Sequence, residues 1–334
     1  SEICRVGLIL VLANYLDRNS GRIKQLGTLL GAVALVSPVF VLIMLQPDFS
    51  ALLVTFPTIV AMLYCGGASV AHLLTIMGYG AIVGGLTVLW TMIPLNPQWL
   101  EASSFVQSFY SLSSFGFPAL VFCLVVLAIA FAAWKLGSRL RIKLRAVYYF
   151  GAAVVFIFGF LTAVGVQSQM KNYQRKRFEV FLSPQADPKG AGYNILQVQI
   201  AMGSGGLWGK GIFSGTQSRL GFVPERHTDF ILAVVGEEMG FWGSIGVLGL
   251  YLMILWRLMV IARLSRDQFG YLSCCGLFSM FLVYLGLNYG MSVGIAPVAG
   301  VPLPLLSYGG SNLVASLWAL GVAESVYARR MALV

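Results

Sequence analysis

Charge is what this sequence has least of. Only 10% of its 334 residues are Asp, Glu, Lys or Arg, against about 25% in soluble globular domains. Histidine occurs only twice. The five cysteines (Cys4, Cys65, Cys123, Cys274 and Cys275) lie in apolar stretches without metal-ligand spacing. They read as small buried hydrophobes. No P-loop, dinucleotide fingerprint or zinc motif is present. What remains is 58% hydrophobic, with a mean hydropathy of +0.83. Such a composition predicts an all-α, polytopic integral membrane bundle, a single domain over 1–334 rather than several soluble ones. The net charge of +10 would suggest nucleic acid in a soluble protein. Here it has to be weighed first against topology, because cytoplasmic loops collect Lys and Arg, and no nucleic-acid partner is expected.

A bilayer span needs about 20 apolar residues. Nine stretches qualify or nearly so: 2–16, 27–46, 49–65, 69–93, 117–136, 146–171, 230–258, 270–291 and 308–328. Strict alternation puts four basic clusters on one side. These are Arg18, Arg22 and Lys24; Lys135, Arg139, Arg141, Lys143 and Arg145; Arg257, Arg263 and Arg266; and Arg329 with Arg330. They hold thirteen of the 22 basic residues, and that side is expected to be the cytoplasm. The loop 94–116 then lies outside and has no Lys or Arg. The chain opens without Met, at what reads as the inside of a helix, so an N-terminal part is expected to precede it.

The loop 171–229 is also expected outside, yet it carries Lys171, Arg175, Lys176, Arg177, Lys189, Lys210, Arg219 and Arg226. Loops of that length are usually functional, and cations in excess suit a polyanion. Within it, 194–202 reads as a short amphipathic helix lying on the bilayer. GSGGLWGKG reads as glycine-rich turns that let backbone approach a ligand. The loop ends in GTQSRLGFVPERHTDF, Gly215 to Phe230, with Asp229 at the boundary between water and an apolar helix. Ionisable groups there mark a functional site. Sequence alone leaves Asp229 between carboxylate chemistry and an N-cap. Glu237 and Glu238, two turns deeper, are expected in a structural ion pair, and Asp48 in a cap, a turn or a substrate contact. GVPLPLLSYGG (300–310) reads as broken backbone walling a cavity, with Ser307 and Ser311 as possible substrate contacts.

Three long stretches carry a family pattern: NYQRKRFEVFLSPQADPKGAGYN, GSGGLWGKGIFSGTQSRLGFVPERHTDFILAVVGEEMG and NYGMSVGIAPVAGVPLPLLSYGGSNL. They resemble the SEDS family (shape, elongation, division and sporulation), and the rod-elongation branch more than the division branch. The resemblance covers nearly the whole chain. It implies a peptidoglycan glycosyltransferase of the bacterial plasma membrane that polymerises lipid II and releases undecaprenyl pyrophosphate. It also implies a class B penicillin-binding protein as partner, with membrane lipids and the growing glycan as further contacts. By resemblance Asp229 is the catalytic acidic residue. A divalent cation, Mg or Mn, is expected on it. Substrate contacts are expected from Arg226, Arg219, Lys210, Arg175, Glu2 and His227, and lipid-headgroup contacts from Lys176 and Arg177.

The chain departs from the family pattern in two ways. By the resemblance about three further helices are expected before the start, and in this same region Arg5 stands where Lys is common. An additional segment, roughly 94–145, holds one outer loop, one span and the most basic inner loop. Two other functions compete with polymerisation. A flippase for lipid-linked precursors is expected to show internal repeats and mid-membrane charges from both halves, and no repeat is visible. A non-catalytic scaffold gives Asp229 no role.

Overall fold

The computed structural model describes residues 2–46, 49–95, 97–140, 145–170, 191–222 and 225–331. The chain is helical throughout, and no strand occurs among the described residues. Each of the nine expected spans is a helix. α1 is Glu2–Arg18, α2 Leu26–Leu45, α3 Phe49–Cys65 and α4 Val70–Met92. Two short helices, α5 (Pro97–Ala102) and α6 (Ser104–Ser111), occupy the expected outer loop. α7 (Phe117–Arg139) and α8 (Ala146–Gln169) follow, then α9 (Ala191–Ser204) and the single turn α10 (Thr216–Arg219). α11 is Ile231–Leu264, α12 Gln268–Val293 and α13 Gly310–Ala328.

Six of these, α2, α4, α7, α8, α11 and α12, are long and apolar enough to cross a membrane. The other three expected spans fall short of that mark. α1 and α3 have 17 residues each, and α13 has 19. Seventeen residues rise about 25 Å, slightly under a hydrocarbon core of about 30 Å. The cysteines are all unbridged, and Cys4 is exposed rather than buried.

The chain divides into two compact units, residues 1–73 with 180–334, and residues 74–179. In the first, α12 is the axis. It packs against α1, α3, α9, α11 and α13, and Leu272, Leu277, Phe281 and Met291 are fully buried on different sides of it. Small residues set its approach to its neighbours. A Cβ on Gly276 would stand 2.6 Å from Ile9 Cγ2 in α1 and 2.8 Å from Met62 Sδ in α3. α9, expected to lie on the bilayer surface, instead packs on α11 and α12, burying Val198 and Ala201 with Phe230 and Ala233.

α11 is not one continuous helix. Gly240 has φ +67° and ψ −160°, a conformation open to glycine and costly for other residues. The break frees backbone groups that an apolar medium cannot satisfy. The glycine-rich segment 205–211 satisfies them. The carbonyls of Glu237 and Glu238, ending the first half, accept from the N–H groups of Lys210 (3.0 Å) and Gly211 (2.9 Å). The N–H groups of Phe241 and Trp242, starting the second half, donate to the carbonyls of Gly206 (2.9 Å) and Leu207 (3.4 Å). The glycines read from sequence as a ligand turn therefore allow one backbone to seat in another. A Cβ on Gly240 would lie 2.7 Å from Leu207 O and closer still to Gly209 N.

Glu237 locks this joint. Its side chain is fully buried, and Lys210 Nζ lies 3.0 Å from Oε1. Thr216 Oγ1 (3.1 Å) and the N–H groups of Gln217 (2.8 Å) and Ser218 (2.9 Å) also donate to the carboxylate. The ammonium donates further to Ser204 and Thr216 hydroxyls at 2.7 and 2.8 Å. The expected ion pair of Glu237 is thus present, and Lys210 is its partner.

The second unit contains most of α4 with α5 to α8. Its core is Trp90, Ile93, Ala119, Phe160, Ala163 and Val164, with Phe109, Tyr110 and Phe122 packed against it. Trp90 is fully buried and donates its indole N–H to Phe109 O at 3.2 Å, as a buried indole requires. The additional segment from 94 onward is therefore joined to α4 and α8 by a packed aromatic core.

Two stability outcomes follow from the joint. Gly240→Ala should lower the thermal unfolding midpoint in detergent, at a cost of at least about 2 kcal/mol, since strain and backbone overlap add. Lys210→Met should cost about 3–5 kcal/mol by stranding a buried carboxylate, and the double variant Lys210→Met, Glu237→Gln should recover much of it. A double variant no more stable than Lys210→Met would remove the ion pair from this account.

Candidate active site

α1, α11 and α13 all begin around one open cleft of about 820 Å³. It is lined by Glu2, Gly221, the run from Glu225 to Asp229, Pro302, Tyr308, Gly309, Ser311 and Asn312. The backbone beneath the acidic residue is held tightly. The successive carbonyls of His227, Thr228 and Asp229 each accept a different donor: Tyr308 N–H at 2.7 Å, Ser307 Oγ at 2.6 Å and Asn288 Nδ2 at 2.9 Å. Asn288, fully buried in α12, donates a second time, to Val301 O at 2.8 Å. Ser307 Oγ accepts from Leu303 N–H at 2.7 Å, and the hydroxyl of Tyr251 in α11 donates to Pro304 O. Residues 295–309, which include most of the broken backbone expected at 300–310 from the prolines, thus form a packed wall. Its Tyr308 N–H and Ser307 hydroxyl are spent on the turn that carries Asp229, and its Val301 and Pro304 carbonyls accept from Asn288 and Tyr251, as broken backbone at membrane depth requires.

The turn itself is strained. Glu225 has φ +47°, a left-handed conformation that non-glycine residues avoid. The helix N-cap is Phe230, which has no side-chain cap bond, and Asp229 stands one residue before it. Asp229 is half-buried at the cleft wall, where a carboxylate meets both solvent and a desolvated surface.

Of the other residues expected to bind substrate, Arg226, His227 and Glu2 line this cleft. Arg226 donates from Nε to His227 Nε2 at 3.1 Å and from Nη1 to Ser218 O, using two of its five N–H donors. One Glu2 carboxylate oxygen, Oε2, is buried without a hydrogen-bond partner. Arg219 and Lys210 do not line the cleft. Arg219 is exposed at the end of α10, and the Lys210 ammonium is engaged by Glu237. The expected convergence of loop cations on one anion site therefore reduces, among the described residues, to Arg226. Arg175, Lys171, Lys176, Arg177 and Lys189 lie outside the described residues, as does Asp48. Ser311 lines the cleft, whereas Ser307 is a backbone clasp rather than a substrate contact. Asn288 was missed in the sequence, although a lone Asn in an apolar helix is the signal that finds such residues.

The donor set suits a hard cation. Glu2, Glu225 and Asp229 bring carboxylates to one cleft, though among the described residues no three His, Cys, Asp or Glu close around a metal position.

Comparison with known proteins matches this architecture. The cell cycle protein model of the FtsW, RodA and SpoVE group matches residues 1–117 and 117–331. The chain is 33% identical over 337 residues to the peptidoglycan glycosyltransferase RodA of Treponema pallidum, covering 99% of this chain and 75% of that protein. It is 47% identical over 180 residues to the peptidoglycan glycosyltransferase MrdB of Escherichia coli, covering 54% of this chain and 48% of that one. The match thus spans about half the length of MrdB. A chain solved in a study of how a peptidoglycan synthase complex coordinates polymerization and crosslinking aligns with a TM-score of 0.58 and 26% identity, over 99% of this chain and 70% of that one. With its long apolar helices, this multi-pass protein of the bacterial inner membrane belongs to the FtsW/RodA/SpoVE family.

Proposed function

We propose that the chain is the membrane body of a peptidoglycan glycosyltransferase that polymerises lipid II during cell elongation. The observation that carries this reading is a single carboxylate, Asp229, fixed through its backbone at the mouth of a cleft that opens at one end of the first unit. α1, α11 and α13 all run from that cleft toward Arg18, Arg257, Arg263, Arg329 and Arg330 at their far ends. By the positive-inside tendency the far end is cytoplasmic and the cleft faces outward, where a lipid-linked sugar is available for polymerisation.

In this reading Asp229 accepts the proton of the attacking sugar hydroxyl. The oxygen forms the new glycosidic bond as the anomeric C–O bond to pyrophosphate breaks. The leaving group departs with the electron pair as undecaprenyl pyrophosphate. A half-buried carboxylate is suited to the proton transfer. Arg226 has guanidinium donors left for the pyrophosphate, and its contacts with Ser218 and His227 orient it. Asp229 with Glu2 or Glu225 would hold a divalent cation, which supplies neutralisation of the departing negative charge. A class B penicillin-binding protein as crosslinking partner completes the proposal. It is supported by the naming of the relatives and by the peptidoglycan synthase complex among the structural neighbours.

Asp229→Asn should abolish polymerisation of labelled lipid II, by 10²-fold or more on the order expected for a proton-transfer group, with an unchanged unfolding midpoint. Wild-type turnover by this variant would overturn the catalytic assignment. Arg226→Ala should raise the Michaelis constant for lipid II about tenfold, since a charged hydrogen bond is worth about 1.5–3 kcal/mol, while Arg219→Ala should change it less than twofold. Equal effects would return the anion contact to the loop as a whole. Chelation should suppress turnover and added magnesium or manganese restore it; full activity in chelator would leave the neutralisation to Arg226 alone.

A further inference from the structure

The start of α13 presents hydrogen-bond donors that find no acceptor among the described residues. The N-cap is Gly309, which has no side chain to cap with, and Leu313 N–H donates to Gly309 O at 2.9 Å to close the first turn. The N–H groups of the first turn, Gly310 to Asn312, have no intrahelical acceptor. They sit at the positive end of a 19-residue helix. A helix start alone is ordinary, but Asn312 is not. It is 4% exposed, its Nδ2 is buried without a partner, and it lines the same cleft as Asp229. A buried amide without an acceptor costs stability and calls for an explanation. Ser311 and Tyr308 add exposed hydroxyl-bearing side chains on the same wall.

On the wall 308–312 the unused groups are donors and hydroxyls, so a ligand seated there is an acceptor. Backbone donors at a helix start suit a phosphate oxygen. Glu2, Glu225 and Asp229 oppose an anion in this cleft, while Arg226 favours it. The donors at α13 therefore give the phosphate a place on the wall formed by 308–312. We propose that the first turn of α13, through its backbone N–H groups and the Asn312 carboxamide, seats a phosphate of a polyprenyl-linked pyrophosphate. This deepens the reading above and rests on it for the ligand class. It also moves the anion contact away from the basic loop, onto uncharged donors whose strength depends little on ionic strength.

The test is binding rather than turnover. The purified full chain in phosphatidylcholine nanodiscs, at fixed magnesium, is titrated with a polyprenyl pyrophosphate. Asn312→Leu should weaken binding about tenfold. The midpoint of the unliganded variant should stay level or rise, because the stranded amide has been removed. Asn312→Asp, of the same size, should weaken binding at least as much, and it covers the case of a misfolded leucine variant. Affinity unchanged in both variants overturns the proposal. So does a lowered midpoint with affinity retained, the signature of an Asn312 that only supports the helix. Displacement of the probe by equimolar phosphatidylglycerol would give the seat to lipid headgroups, and also overturns it. Because the readout needs no catalysis, a chain that binds through Asn312 and fails to polymerise counts against the glycosyltransferase reading and leaves the seat standing.

Discussion

The site depends on a broken helix that is mended from outside. α11 cannot pass Gly240 with its hydrogen-bond ladder intact, and a bilayer offers no water to replace the lost bonds. Residues 206–211 supply both sides of the gap, donating to Glu237 and Glu238 and accepting from Phe241 and Trp242. The buried Glu237 carboxylate then gathers Lys210, Thr216, Gln217 and Ser218 around it. Through Ser218, whose carbonyl accepts from Arg226, this structural joint reaches the cleft. A buried ion pair of this kind is weak support for stability in itself. Its value here is that one geometry satisfies all of its donors at once.

A second clasp fixes the acidic turn from the opposite side. Asn288, Ser307 and Tyr308 hold three consecutive carbonyls of the turn, so the turn is tied to α12 and to the wall 295–309 independently of α11. A turn held by backbone carbonyls leaves its side chains uncommitted by those bonds. Arg226, His227 and Asp229 therefore face a cleft while the chain beneath them is fixed. The strain at Glu225 persists because the surrounding bonds over-determine the turn.

Much of the fold was legible in the sequence because apolar length is a strong signal in a membrane protein. All nine stretches became helices, with boundaries shifted by a few residues. The ion pair of Glu237 was legible too, since a carboxylate in an apolar run needs a partner. The break at Gly240 was not. GEEMGFW reads as helix locally, and only the distant segment 205–211 makes the broken form cheaper than the continuous one. For the same reason GSGGLWGKG was misread: glycines that allow close approach look alike whether the approaching group is a ligand or another backbone. Lys210 and Arg219 were assigned by charge and position in the loop, but charge does not say which acceptor lies nearest. The clasp by Asn288 joins residues 59 positions apart, beyond the reach of any local pattern.

The electrostatic character of the cleft also differs from what the loop's composition suggests. Counting loop cations predicts a positive pocket, yet Glu2, Glu225 and Asp229 stand there against Arg226 and a histidine. A purely cationic pocket would hold a pyrophosphate well before and after the bond breaks, and uniform binding of that kind does not speed the chemical step. A cleft with a carboxylate majority holds the resting anion poorly. It gains from a divalent cation and from uncharged donors, which act on charge as it accumulates on the leaving oxygen. In the proposed reaction the arrangement would separate two tasks that a cluster of lysines would merge: proton removal, assigned there to Asp229, and stabilisation of the departing charge, assigned there to Arg226 and the first turn of α13.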